Sequence, residues 1–230
     1  MLKVYEDLSD KVGQVENASE VIENKQNEID DVSKKLDEVA LLITNARQKS
    51  IPKLQKQLEF LLSELGMPNA SFNIEVQPSE KYLANGKDEL SFLFSANKGG
   101  NYGELKKVAS GGELSRIMLS IKKILSENKK LPTIIFDEID TGVSGEISNK
   151  IAKIMQEMSG FMQVITITHL PQIAAKGETH FKVFKDDVAG ITTSNMKVLN
   201  ETERIQEIAE MLSGKNASES AITHAKELLS

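Results

Sequence analysis

The pattern that most constrains the fold is a strand, helix and strand in the second half of the chain. Leu131 to Phe136 is a short apolar run rich in β-branched residues, and it ends at Asp137-Glu138. A turn and a helix with one apolar face follow, and a second apolar run, Met162 to Thr168, stops at His169. This order predicts a right-handed crossover between parallel strands. We therefore expect an α/β fold with a parallel sheet and flanking helices.

The polar residues that follow the two predicted strands are expected to lie at one edge of the sheet, where open α/β sheets hold ligands. Asp137 can hold Mg²⁺ directly or through a water, because Mg²⁺ prefers oxygen ligands and keeps several waters. Glu138 can polarise an attacking water, and His169 can hydrogen-bond a terminal phosphate. Taken alone, Asp137-Glu138 is equally well explained as part of a solvated loop, and His169 is better explained as a structural histidine. Together, and with Asp140 three residues beyond Asp137, they favour phosphoryl transfer to water.

A glycine motif, Ser110-Gly111-Gly112-Glu113, precedes an amphipathic helical pattern upstream of the first strand. Taken as structure alone, Ser110 and Glu113 form a capping box that satisfies free backbone N–H groups. Taken as function, Ser110 and the two glycines leave N–H groups open to a phosphate, which the helix dipole also favours. An isolated motif would favour the capping box, but its position before the Asp-Glu strand favours the phosphate contact.

Apolar residues recur every seven positions in the N-terminal quarter, at Leu8, Val15, Ile22, Ile29, Leu36 and Ile43. This spacing predicts a coiled-coil helix, weakened by Gly13 and by Lys11 and Lys25 at the other seam position. The alternative is a surface helix packed along a globular body. We expect Pro52 to break or kink the helix. The stop at Gly66-Met67-Pro68 then divides the chain into a coiled-coil arm with its connecting helix, 1–66, and a globular lobe, 67–230.

Further strands and helices are predicted on both sides of these motifs. Phe72 to Val76 and Leu90 to Phe94 alternate in polarity around a turn at Asn85-Gly86. Residues 181–185 and 191–199 predict a hairpin, and two helices follow near 201–212 and 217–229. We expect the first of these helices to end at Gly214, and Asn216 to cap the second with Glu219 three residues later.

Three segments together carry a family resemblance: V-A-S-G-G-E-L-S-R at 108–116, F-D-E-I-D-T-G-V-S-G at 136–145 and I-T-H-L-P-Q-I-A at 167–174. They resemble the C-terminal part of the RecN family, bacterial DNA repair ATPases of the SMC-like branch of the ABC ATPases. In that family they are the signature motif, the Walker B strand with its D-loop, and the switch-histidine segment. The resemblance implies the C-terminal lobe of an ABC/SMC-type ATPase head preceded by a coiled-coil helix.

The resemblance also implies a role for each residue of the sheet edge. Asp137 would support Mg²⁺, Glu138 would be the general base for water, and His169 would contact the γ-phosphate of ATP. Asp140 would communicate across a head-to-head dimer. Hydrolysis of ATP would release that dimer.

The signature motif would act on the opposing head. Ser110, Gly111 and Gly112, with Glu113 in the same motif, would contact the ATP bound there, so that ATP lies between two heads. The implied partners are therefore an N-terminal lobe of the same protein, a second head in an ATP-dependent homodimer, and DNA during double-strand break repair and recombination.

One expected motif is missing from this sequence. An ABC head needs a loop of the form G-x-x-x-x-G-K-[ST] to cradle phosphates, and no such loop occurs. Gly214-Lys215-Asn216 lacks both the first glycine and the final hydroxyl. In the resembled family this loop lies in the N-terminal lobe. We therefore expect the chain alone to bind ATP weakly or not at all and to be inactive as an ATPase.

Composition excludes several other classes. The chain has no cysteine, which removes disulfides and zinc–thiolate sites, and its net charge of −6 argues against a generally basic DNA-binding surface. It contains no apolar run long enough to span a bilayer, so we expect a cytoplasmic protein without a membrane partner, which the resemblance associates with the bacterial nucleoid. The alternative function is a non-catalytic coiled-coil or dimerisation module of an SMC-like complex. A transporter subunit is disfavoured by the heptad arm.

Overall fold

A single long helix, α1 (Leu2–Glu64), begins the protein. The computed structural model describes residues 2–128, 131–137, 139–140, 142–143, 145–188 and 191–230. The predicted break at Pro52 does not occur, because α1 continues through it. A proline inside a helix removes one N–H···O bond. The turns after Pro52 bury Leu58 and Leu62, and this packing keeps the helix intact beyond the missing bond.

The chain divides into two compact units. The first comprises Met1–Lys53 and Ile74–Ser91, and the second comprises Leu54–Asn73 and Phe92–Ser230. Strands β1 (Ser71–Leu83) and β2 (Gly86–Ser95) run through both, as does α1. Strands β1 and β2 form a three-stranded sheet with the short β3 (Gly103–Glu104), in the order β1-β2-β3.

In the first unit, the end of the β1–β2 ribbon is bonded to α1 through charged side chains. Asp88 is buried and accepts hydrogen bonds from Thr44 at 2.7 Å and Arg47 at 2.8 Å. Asp37 accepts from the Tyr82 hydroxyl at 2.7 Å and pairs with Lys87 at 2.8 Å. Two carboxylates therefore help to hold the end of this strand pair on the helix.

The second unit contains the predicted crossover. The elements from Leu105 to Ala174 are, in chain order, α2 (Leu105–Val108), α3 (Gly111–Asn128), β4 (Thr133–Asp137), α4 (Gly145–Ser159), β5 (Gln163–Ile167) and α5 (Pro171–Ala174). The crossover consists of β4, α4 and β5. Strands β4 and β5 pair in parallel, from Thr133 opposite Gln163 to Asp137 opposite Ile167. The predicted parallel strands are therefore confirmed, with boundaries shifted by one or two residues.

The core of the second unit lies on one face of the β4–β5 pair. Phe136 faces it together with side chains from α1, α3, α4 and α5, while the opposite face exposes Ile135, Ile165 and Ile167. Alternation along a strand explains this division, because residues two apart point to the same face. The buried members of this core are Leu65, Leu119, Phe136, Ile151, Ala152, Ile154, Met155, Met158, Met162 and Ile173.

The tail forms the predicted hairpin and two helices. Strands β6 (Phe181–Val188) and β7 (Ile191–Val198) pair antiparallel, and α6 (Glu201–Ser213) and α7 (Glu219–Leu229) follow. Gly214 ends α6 as predicted, with φ of 84°. The predicted Asn216 cap is wrong: Ser218 caps α7 by accepting from the N–H of Ala221, because α7 starts only at Glu219. Nowhere in the described ranges is a helix both long and apolar enough to cross a membrane.

Candidate functional site

The parallel pairing brings the ends of β4 and β5 to one edge. Asp137 is the last residue of β4 and lies opposite Ile167, and His169 follows two residues later. Asp137 is exposed, and the His169 side chain is 70% exposed, so both are accessible to a ligand. Asp137 shares the uncovered face of the strand pair with Ile135, two residues earlier. The sheet edge therefore presents a carboxylate and an imidazole together.

The Asp140 side chain is buried, unlike those of Asp137 and His169. It is 1% exposed and accepts a hydrogen bond from the hydroxyl of Thr168, at the end of β5. The same Asp140 oxygen lies 3.7 Å from Nδ1 of His169. Because this side chain is held inside the chain, any contact of Asp140 across a dimer interface would have to come from its backbone.

The turn after β4 is described only in part. Glu138, expected to act as the general base, lies outside the described residues, as do Thr141 and Ser144 of the D-loop segment. Their neighbours Val143 and Asp140 are described, and the N–H of Val143 donates to the Asp140 carbonyl at 3.4 Å.

The glycine motif forms the first turn of α3 and contains the predicted capping box. The N–H of Ser110 donates to the Glu113 carboxylate at 2.8 Å, and the N–H of Glu113 donates to the Ser110 hydroxyl at a long 3.4 Å. Both reciprocal bonds of the motif are present. Within the described part of the chain, the N–H groups of Gly111 and Gly112 have no such partner. The cap and a free pair of N–H groups therefore coexist.

Gly111 is surrounded by open space. A Cβ at Gly111 would meet no heavy atom within 4 Å, and Ser110 and Gly111 are both exposed. Packing within this chain therefore does not require a glycine at this position. A side chain there would sterically obstruct only something that approaches the first turn of α3 from outside.

Sequence reasoning missed two residues that organise the site. Arg116 lies in the signature segment and donates hydrogen bonds to the carbonyls of Gly112 at 3.2 Å and Leu65 at 3.1 Å. Thr168 connects Asp140 to the turn that carries His169. Each was part of a recognised segment, but partners 51 and 28 residues away leave no local signal.

The described residues of the sheet edge provide few carboxylate ligands for Mg²⁺. Asp137 provides an exposed carboxylate at the sheet edge, whereas the Asp140 side chain is buried and is not open to an ion from solution. Among the residues that the structure describes, no group of three or more histidine, cysteine or acidic side chains could hold a metal ion. Mg²⁺ commonly uses one or two carboxylates with substrate phosphates and waters. Asp137 therefore fits as one carboxylate ligand of such an ion.

Solved structures with a similar fold are Smc head domains. An Smc head domain with a coiled coil and joint from Pyrococcus yayanosii superposes with a TM-score of 0.60 and 20% identity, covering 82% of this chain and 34% of that one. The Smc head domain from Pyrococcus furiosus with an extended coiled coil, bound to the C-terminal domain of ScpA, gives 0.53 and 18% identity over 77% of this chain and 43% of its own. The fold is that of an Smc head domain with a long helix.

Proteins with similar sequences identify the family more narrowly than the fold does. The DNA repair protein RecN of Bacillus subtilis (strain 168) is 36% identical across 100% of this chain and 42% of its own length. RecN of Rickettsia felis is 39% identical over 86% of this chain and 36% of the relative, and RecN of Haemophilus influenzae is 38% identical over 83% and 34%. No family model matches. The chain is a RecN homologue over its whole length, and it spans about two fifths of the Bacillus subtilis relative.

Proposed function

We propose that this chain is the C-terminal lobe of a RecN-type ATPase, which hydrolyses ATP between two head domains during DNA double-strand break repair. The observation that carries this proposal is the parallel pairing of β4 and β5, which brings Asp137 and His169 to one sheet edge. Homology to RecN over the whole chain supports the same function.

Each residue of the sheet edge has its own role in the proposed hydrolysis of ATP. Asp137 holds Mg²⁺, which when bound neutralises charge on the phosphates. Glu138, directly after it, orients and deprotonates the attacking water, and His169 donates a hydrogen bond to the terminal phosphate. ATP is the substrate, and the protein contributes mainly positioning and electrostatic stabilisation of the transferred phosphoryl group.

The uncovered face of the β4–β5 pair supports a completing lobe. Ile135 is 63% exposed, Ile167 55% and Ile165 43%. Three apolar side chains on one strand face are typical of a surface that another layer covers. We propose that the N-terminal lobe of the same protein covers this face and contributes the phosphate-binding loop that this sequence lacks. Asp137, which lies on the same face, would then border the nucleotide.

The exposure of the first turn of α3 supports a contact with a second head domain. Ser110 and Gly111 are exposed, and Gly111 has open space around it. We propose that Ser110, Gly111, Gly112 and Glu113 contact ATP held by the opposing head of a homodimer. The free N–H groups at this helix start favour an anionic ligand.

The exposure of apolar residues along α1 supports the predicted coiled-coil arm. Along α1, the heptad residues Ile22, Ile29 and Leu36 are 68%, 57% and 45% exposed. An exposed apolar stripe at heptad spacing needs a partner helix. We propose a coiled-coil arm with its connecting helix over 1–66 and an ATPase lobe over 67–230, in a cytoplasmic, nucleoid-associated protein that acts on DNA.

The test is a chimera in which this chain replaces the matching part of Bacillus subtilis RecN, hereafter the RecN chimera. Glu138→Gln in the RecN chimera is expected to slow ATP turnover by about 100-fold or more and to trap ATP-bound dimers, measured by phosphate release and light scattering. Glu146→Gln is the matched control, because Glu146 is an exposed acidic residue on the first turn of α4. Normal turnover by Glu138→Gln would reject the proposed base.

A second candidate is a non-catalytic dimerisation module. The complete capping box at Ser110 and Glu113 favours it, since the motif then needs no nucleotide to explain it. On this alternative, Ser110→Arg leaves the activity of the RecN chimera intact. On the ATPase proposal, the same change abolishes turnover, because a long cationic side chain fills the space that the opposing nucleotide needs.

A further inference from the structure

A buried carboxylate lies behind the exposed histidine of the sheet edge. Oδ2 of Asp140 accepts a hydrogen bond from the Thr168 hydroxyl, and the Thr168 oxygen in turn accepts from the N–H of Leu170 at 3.0 Å. Thr168 and Leu170 are the residues immediately before and after His169. Thr168, which is bonded to Asp140, therefore bridges the short backbone segment that carries His169.

The same carboxylate oxygen faces the imidazole itself. Nδ1 of His169 lies 3.7 Å from Oδ2 of Asp140, while the His169 side chain as a whole is 70% exposed. This distance exceeds a normal hydrogen bond, so the interaction is electrostatic. A negative charge beside Nδ1 favours a proton on that nitrogen, and the partner of one ring nitrogen sets what the other can do. Nε2 is then the nitrogen left for a ligand.

The burial of Asp140 indicates that this arrangement is maintained at a cost. Its side chain is 1% exposed, and Oδ1 accepts no hydrogen bond from any described residue. A carboxylate buried with incomplete hydrogen bonding loses hydration that its partners only partly replace. An aspartate that merely closed the turn could do so at the surface, without this penalty.

We propose that Asp140 is a positioning residue for His169 of the same chain. Acting through Thr168, it holds the backbone of His169, and through its charge it keeps the proton on Nδ1 in the neutral imidazole. The catalytic meaning of this role rests on the proposed function, in which His169 contacts the terminal phosphate. The tautomer and orientation of His169 do not depend on that function, and they can be measured on this chain alone.

The direct test is ¹⁵N NMR of histidine-labelled chain at a pH where the imidazoles are neutral. The sequence has three histidines, so His180→Gln and His224→Gln assign the His169 signals. We expect the Nδ1–H tautomer to predominate at His169, and Asp140→Asn to shift it toward the Nε2–H form that free histidine favours. An unchanged tautomer in folded Asp140→Asn would overturn the proposal.

A second pair of variants keeps the test decisive if Asp140→Asn does not fold. Thr168→Val removes the hydroxyl and keeps the shape, and Thr168→Ser restores the hydroxyl. We expect the His169 signals to move in Thr168→Val and to return in Thr168→Ser. Thr166→Val, two residues earlier on β5, is the matched control and should leave them unchanged. Equal signals in Thr168→Val and the native chain would contradict a link through Thr168.

Turnover in the RecN chimera tests the catalytic part separately. Thr168→Val is expected to lower kcat by roughly tenfold, as loss of an orienting partner does elsewhere, with KM nearly unchanged and rescue by Thr168→Ser. A tautomer change with unaltered kcat would overturn the positioning role in catalysis. A native chimera without any ATP turnover would reject the proposed function instead, while the NMR result still decides the Asp140–His169 relationship.

Discussion

Arg116 donates a hydrogen bond from Nη1 to the carbonyl oxygen of Leu65 at 3.1 Å, and its Nε donates to the carbonyl of Gly112 at 3.2 Å. Leu65 is fully buried and directly follows the end of α1, whereas Gly112 lies in the first turn of α3. One guanidinium therefore joins the glycine motif to the base of the long helix.

Replacing Arg116 tests the junction. Arg116→Ala leaves the Leu65 carbonyl without its donor, which should lower the free energy of unfolding by about 1–3 kcal/mol. Arg116→Lys should recover only part of this loss, because an ammonium cannot reach both carbonyls with a planar fork. Urea denaturation followed by circular dichroism measures both. Lys153→Ala, at an exposed position on α4, is the control, and an equal loss there would remove the significance of the junction.

Two glycines should respond oppositely to alanine. Gly66 has φ of 78°, and a Cβ there would lie 2.5 Å from Cδ1 of Ile147. Gly66→Ala should therefore destabilise the chain by about 1–3 kcal/mol, although rotation of Ile147 relieves part of the clash. Gly111→Ala meets open space in a helical turn and should stabilise it by about 0.4–1 kcal/mol. Thermal unfolding of both variants gives the comparison.

The glycine at 111 also separates stability from function. In the RecN chimera, Gly111→Ala should lower ATP turnover even though the chain unfolds at a higher temperature, because the added methyl group obstructs the opposing nucleotide. Phosphate release and Tm are measured on the same preparation. Full turnover with raised Tm would show that nothing approaches this turn closely.

His180 should make stability depend on pH. Burial lowers the pKa of His180 below its usual 6.5, and the nearby positive charge of Arg204 lowers it further, while Glu207 opposes this. The unfolded chain therefore binds more protons as pH falls below about 6.5, and the unfolding free energy declines until pH passes the lower folded pKa. His180→Gln should flatten this decline in urea titrations across pH. His224→Gln, at an exposed histidine, should not.

Asp88 should make the stability of the first unit depend on pH in the acid range. Hydrogen bonds from Thr44 and Arg47 lower the pKa of Asp88 below its usual 3.8. The stabilisation is therefore present above 3.8 and is lost as pH falls through the lower folded value. Asp88→Asn should speed hydrogen exchange of β2 amides at neutral pH, whereas Glu89→Gln, exposed and next in sequence, should leave exchange unchanged. Equal rates in the native chain and Asp88→Asn would refute this.

Patterns within one element predicted much of the fold. The parallel strands β4 and β5 and the reciprocal bonds of Ser110 and Glu113 follow from residues close in sequence, so both could be predicted. The continuity of α1 through Pro52 could not, because packing of later turns decides it. The burial of Asp140 was also missed, since its partner Thr168 lies 28 residues away.

The most direct measurement is calorimetric titration of this chain with ATP and Mg²⁺, repeated after adding the separately expressed N-terminal lobe of the Bacillus subtilis relative. The account predicts no binding by the chain alone and binding once the lobe is present, because the sequence lacks a phosphate-binding loop while its sheet edge offers Asp137 and His169. Tight binding of ATP by the chain alone would contradict a nucleotide site divided between two lobes.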